Sequence, residues 1–118
     1  MDLLLEIGKK NNVTIFKLIG DLSYEGGLRL RQVFQDAFAY NETNFIIDLK
    51  GCKTISSFTL SVLLKLNDTI KEKNGTLKLL CPRGDVSDIF DLIDIRNVIP
   101  IFVSEEELWR NTEQNCLT

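Results

Sequence analysis

Phe45-Ile46-Ile47-Asp48-Leu49, followed after a short interval by Ile55-Ser56-Ser57-Phe58-Thr59-Leu60, is the stretch that decides the fold. The first run is apolar on both alternations except at Asp48, as expected for a strand covered on both faces in the middle of a sheet. The strand runs through a short loop into the second run, a hydroxyl-rich helix start. The first N–H groups of a helix lack internal partners, and its aligned peptide dipoles place roughly half a positive charge at that end, so it attracts anions. Ser56 or Ser57 therefore has two readings, a plain helix cap or a phosphorylatable switch.

Upstream, Leu3-Leu4-Leu5-Glu6-Ile7 and Val13 to Ile19 read as strands joined by the polar link Gly8-Lys9-Lys10-Asn11-Asn12, an opening hairpin. After the punctuation of Gly20 and Asp21, the residues Leu30, Val33, Phe34, Ala37 and Phe38 recur at the spacing of one apolar helix face, and the helix ends near Tyr40-Asn41. Downstream, Leu60, Leu63, Leu64, Leu66 and Ile70 predict a helix from Phe58 to about Lys73, closed by Asn74-Gly75. Thr76 to Cys81 reads as a strand, Pro82-Arg83-Gly84 as a loop, and Val86, Ile89, Phe90 and Ile93 as a third helical stripe. Val98 to Val103 supplies a short last strand whose Pro100 suggests a sheet edge, and Ser104 with Glu107 makes a capping box for a final helix. The expected architecture is α/β: a mixed sheet of about five strands, opening with a hairpin and packed with about four helices, forming one domain over residues 1–111. Residues 112–118 are expected to form a flexible tail.

Composition narrows the function. A chain of 118 residues that is 44% hydrophobic and 26% charged suits a single core, and no apolar run is long enough to span a bilayer. The Asp2- and Glu6-bearing start lacks the pattern of a secretory leader, so a soluble cytoplasmic protein without direct membrane insertion is expected. Three irregularly spaced cysteines, Cys52, Cys81 and Cys116, fit a reducing compartment better than a disulfide framework. A net charge of −3 without a basic cluster argues against nucleic acid and for a protein partner. With no histidine, the Ser-His-Asp and Cys-His arrangements are impossible, and Gly26-Gly27 lacks the lysine and spacing of a phosphate loop. The acidic pairs Asp85/Asp88 and Asp91/Asp94 read as the solvated face of the third helix. No enzyme, metal or cofactor is expected.

Taken in order, Val13 to Ile19 with Gly20-Asp21-Leu22, the helix from Leu28, Ile46-Ile47-Asp48-Leu49, Ile55 to Leu60 and Asn74-Gly75 resemble a STAS domain. That family includes sulphate-transporter cytoplasmic domains and bacterial anti-sigma-factor antagonists. The resemblance implies a phosphoacceptor serine at the helix start, where regulatory members carry a motif similar to Asp-Ser-Ser-Gly-Leu-Gly. Matched through Leu60, the motif aspartate falls on Ser56, the first serine on Ser57, the second on Phe58 and the glycine on Thr59. Ser57 is then the phosphorylation candidate, ahead of Ser56 and Thr59. The implied partner is an anti-sigma factor or serine kinase of the switch-kinase type, met by Asp21, Leu22, Ser23, Ser56, Phe58, Thr59 and Ser61, with self-association as a further option. Phe58 is weighed both as a partner-facing anchor and as a core aromatic. Two alternatives remain open: a STAS scaffold subunit of a larger signalling assembly, and a soluble component of a lipid-transport complex, which a sizeable apolar pocket would favour.

Overall fold

Strand β1 (Leu4–Lys10) turns back on β2 (Val13–Leu22) through Asn11 and Asn12, both left-handed at φ 53° and 67°, the backbone a two-residue hairpin requires. Gly8, Lys9 and Lys10, expected in the loop, continue the strand instead. The computed structural model describes residues 3–117. The remaining elements are α1 (Tyr24–Ala39), β3 (Asn44–Ile55), α2 (Ser57–Glu72), β4 (Thr76–Leu80), α3 (Asp85–Leu92), a 3-10 turn (Ile95–Asn97), β5 (Ile101–Phe102) and α4 (Glu105–Leu117). The sheet order is β1-β2-β3-β4-β5, antiparallel between β1 and β2 and parallel elsewhere, which is the mixed five-stranded sheet with four helices that the periodicity predicts.

β3 is the central strand, and its alternation divides two cores. Phe45, Ile47 and Leu49 face α1, α2 and α3, joining Phe16, Leu30, Phe34, Leu63, Ile70 and Phe90 in the larger cluster. The Phe34 ring lies 4.7 Å from Phe16 and 4.8 Å from Phe45 at tilted angles favoured by aromatic pairs, so its truncation to alanine would cost about 3–5 kcal/mol. Ile46 faces the other way and packs with Val13, Leu80 and Leu108 under α4.

The structure corrects several boundaries. β2 does not stop at Gly20; that residue takes φ 122° at a register shift, and the strand resumes through Asp21 and Leu22. Positive φ at a bulge suits glycine, so the residue bends the strand without ending it. β3 likewise runs on to Ile55, pairing Gly51, Cys52 and Ile55 with β2, so no loop precedes the serines. β5 keeps the edge position expected from Pro100 but is only two residues long, because residues 95–97 turn into a 3-10 helix. The backbone of residues 112–117, expected as a tail, belongs to α4, and the Thr112 hydroxyl is buried against Lys78 Nζ at 3.1 Å. Thr118 lies outside the described residues. Among the described residues no helix is long and apolar enough to cross a membrane.

Candidate functional site

β2 and β3 are parallel neighbours and finish together, with Leu22 paired to Ile55. The helices that follow them, α1 and α2, therefore begin side by side. Ser23 caps α1, its hydroxyl accepting the Gly26 N–H at 3.4 Å, and Ser56 caps α2, its hydroxyl accepting the Thr59 N–H at 3.1 Å. The Ser56 N–H in turn donates to the Leu22 carbonyl at 2.8 Å. The buried Thr59 hydroxyl ties the two starts together: it lies 3.1 Å from the Leu22 oxygen, 3.0 Å from the Ser23 oxygen and 3.0 Å from the Ser56 hydroxyl. Gly27 makes the approach close enough, since a Cβ there would stand 2.7 Å from Thr59 Oγ1 and 2.8 Å from the Phe58 ring.

This geometry sorts the residues singled out by sequence. Ser56 is the cap, which occupies its hydroxyl. Ser57, the first helical residue, is exposed to solvent. Thr59 is fully buried, so it cannot meet a kinase or a partner, and it leaves the candidate surface. Leu22 is corrected in the same way: at 0% exposure it belongs to the core. Asp21 sits in β2 and not in a loop, yet it does reach the same end of the sheet, accepting the Thr54 hydroxyl at 3.3 Å. Ser23 is exposed while capping α1. Ser61 is exposed and donates to the Phe58 carbonyl at 2.6 Å. Phe58 is half-buried, with one part packed on the core and its ring 4.4 Å from that of exposed Tyr24. Tyr24 and Arg31, whose guanidinium lies 5.9 Å from the Phe58 ring, border the site but carry no sequence signal beyond their helix positions.

Electrostatics set α2 apart. α1 carries Glu25 in its first turn, α3 carries Asp85 and Asp88, and α4 carries Glu105, Glu106 and Glu107; α2 carries no acid there. Its positive end is uncompensated by its own side chains. Along the flank of Phe58, a groove of about 250 Å³ runs between α1 and α2, floored by apolar side chains. The thiols of Cys52 in β3 and Cys81 just after β4 are buried, and burial pushes Cys52 up to about 12 and Cys81 up to about 11. Among the described residues, no group of three histidine, cysteine, aspartate or glutamate side chains is placed to hold a metal ion.

Comparison with known proteins identifies the family and the fold. The STAS domain family model matches residues 5–108. The chain belongs to the STAS domain family. A search of curated proteins returned no sequence match. Among solved structures, this STAS chain is similar to a putative anti-sigma factor antagonist from Thermotoga maritima, with a TM-score of 0.84, 18% identity and coverage of 91% of this chain and 92% of that one. It is also similar to an anti-sigma factor antagonist from Mycobacterium paratuberculosis, with a TM-score of 0.83, 13% identity and 93% of each chain covered. The Bacillus cell fate determinant SpoIIAA in its phosphorylated form matches with a TM-score of 0.71, 15% identity and coverage of 92% and 99%. At these identities the likeness shows a shared fold.

Proposed function

We propose that this STAS domain is a regulatory binding module of the anti-sigma-factor-antagonist type, which docks on an anti-sigma factor or switch kinase in the cytoplasm and is released by phosphorylation of Ser57. The carrying observation is the exposed Ser57 at the start of α2, which among the described α-helices lacks an acid in its first turn, beside the start of α1. A phosphate adds about −1.5 to −2 charges at neutral pH, which the helix end tolerates and an acidic or closely packed partner surface does not. Structural neighbours described as anti-sigma factor antagonists, among them SpoIIAA, which is also seen in a phosphorylated form, support the reading. The docking face then comprises Ser57, Phe58 and Ser61 on α2, Tyr24 and Ser23 at the start of α1, and Asp21 beside them. Ser56 contributes by holding the helix start in place.

The test is to incubate the chain with an anti-sigma-factor kinase of the switch-kinase type and ATP, map the phosphate by mass spectrometry, and measure affinity for wild type, Ser57→Ala and Ser57→Asp. Phosphate on Ser57 alone, wild-type affinity for Ser57→Ala and at least a tenfold loss for Ser57→Asp are expected. Equal affinity for all three with folding intact, or phosphate on another residue, overturns the switch.

A further inference from the structure

We infer that the groove between α1 and α2 receives an acidic amphipathic helix of the partner, a docking element distinct from the Ser57 hydroxyl itself. The inference rests on the reading of the chain as a protein-binding module and names the chemistry of what is bound.

The floor of the groove is apolar: Val62 and Leu66 are buried, and Phe38 and Phe58 are half-buried beside them. Its exposed charged lining is wholly cationic, Arg31 on the α1 side and Lys65 on the α2 side. Lys73 extends this charge at the far end, with its Nζ 5.4 Å from the Phe38 ring. Such an arrangement runs against the composition, because the chain holds 17 acidic residues to 14 basic ones. On α1, Arg31, Gln35 and Phe38 share a face at helical spacing, while Asp36 is turned aside to Gln32.

Dimensions select the occupant. From Phe58 to Thr69 the groove follows α2 for about 16 Å at 1.5 Å per residue, the length of about three turns of a second helix. At about 250 Å³ it falls below the range of roughly 300–1,000 Å³ typical of pockets that enclose a small molecule. An amphipathic helix laid along such a groove places apolar anchors on the floor and acids against the cationic rims. Because Phe58 lines the groove and adjoins Ser57, phosphate at its mouth adds negative charge where an acidic helix must enter.

The full chain is used to select from a phage-displayed library of random 16-residue peptides, and the retained peptides are titrated by fluorescence anisotropy. Retained sequences should combine acids and apolar residues at helical spacing. Arg31→Glu with Lys65→Glu should weaken them at least tenfold while Asp88→Asn, on α3, leaves affinity unchanged. Retained peptides without an acidic excess, unchanged affinity in the double variant with its circular dichroism intact, or no retained peptide together with saturable decanoate binding at Val62 and Leu66 methyl resonances, each overturns the inference. Ser57→Ala should bind as wild type and Ser57→Asp several-fold more weakly. Equal peptide affinity in Ser57→Asp would remove the phosphocontrol while acidic-helix docking stands.

Discussion

Helices α2 and α3 both leave the ends of parallel strands on the same face of the sheet, and they begin in opposite ways. α3 is self-sufficient: Gly84 offers no side-chain cap, the Ser87 hydroxyl accepts the Gly84 N–H at 3.3 Å, and Asp85 and Asp88 compensate the helix dipole. α2 depends on its neighbours. Its cap hydroxyl and the buried Thr59 hydroxyl are tied to the last carbonyls before α1, and no acid offsets its positive end. The first helix start has its anion built in, and the second has an exposed serine where an anion can be added. The difference shows why one serine of this fold merits a regulatory reading while a neighbouring helix end does not.

Of the effects that bear on the two helix starts, raising the pH should produce the largest, at the α3 side. Cys52 and Cys81 lie under the start of α3, and burial raises both thiols above their ordinary 9.0. The folded state then keeps its thiols neutral while the unfolded chain ionises, so their contribution is fully present below pH 9 and declines above it. At pH 10 the loss should be about 1.4 kcal/mol per thiol, about 3 kcal/mol in all. Urea denaturation under reducing conditions at pH 8 and pH 10 measures it, and Cys52→Ala with Cys81→Ala should flatten the dependence.

Thr59→Val should cost about 1–3 kcal/mol, because it strips a buried donor from the Leu22 and Ser23 carbonyls. Thr59→Ser, which keeps the hydroxyl, should recover part of that stability. Ser56→Ala should cost about 1 kcal/mol by removing the cap, measured in the same denaturation series. The smallest effect has the opposite sign. Ser57→Asp should stabilise the fold by about 0.3–1 kcal/mol, since it supplies the acid that α2 lacks, whereas Asp85→Asn should destabilise α3. A destabilising Ser57→Asp would erase the contrast between the two helix starts.

Much of this was legible in the residues. The 3.6-residue spacing of Leu30, Phe34 and Ala37, and the two-sided apolar character of Phe45 to Leu49, give helices and a central strand wherever the pattern is strong. Legibility failed where tertiary partners override local signals. Gly20 looked like a stop and proved to be a bulge, because β3 remains alongside to hold the strand. The polar run Lys50 to Thr54 looked like a loop and proved to be strand, paired to β2. Leu22 and Thr59 looked like surface and proved to be core, because α1 and α2 close over them.

Sequence by itself determined the alternation of strands and helices, the hairpin, the absence of histidine chemistry and the placing of a serine at a helix start, since each follows from local periodicity or composition. Only the tertiary structure decided which serine caps and which is exposed, and that the starts of α1 and α2 converge. The physical reason is that a side chain's burial and hydrogen-bond partners are set by the chain segments packed against it, here Leu22 and Ser23 against Ser56 and Thr59, more than thirty residues apart in sequence.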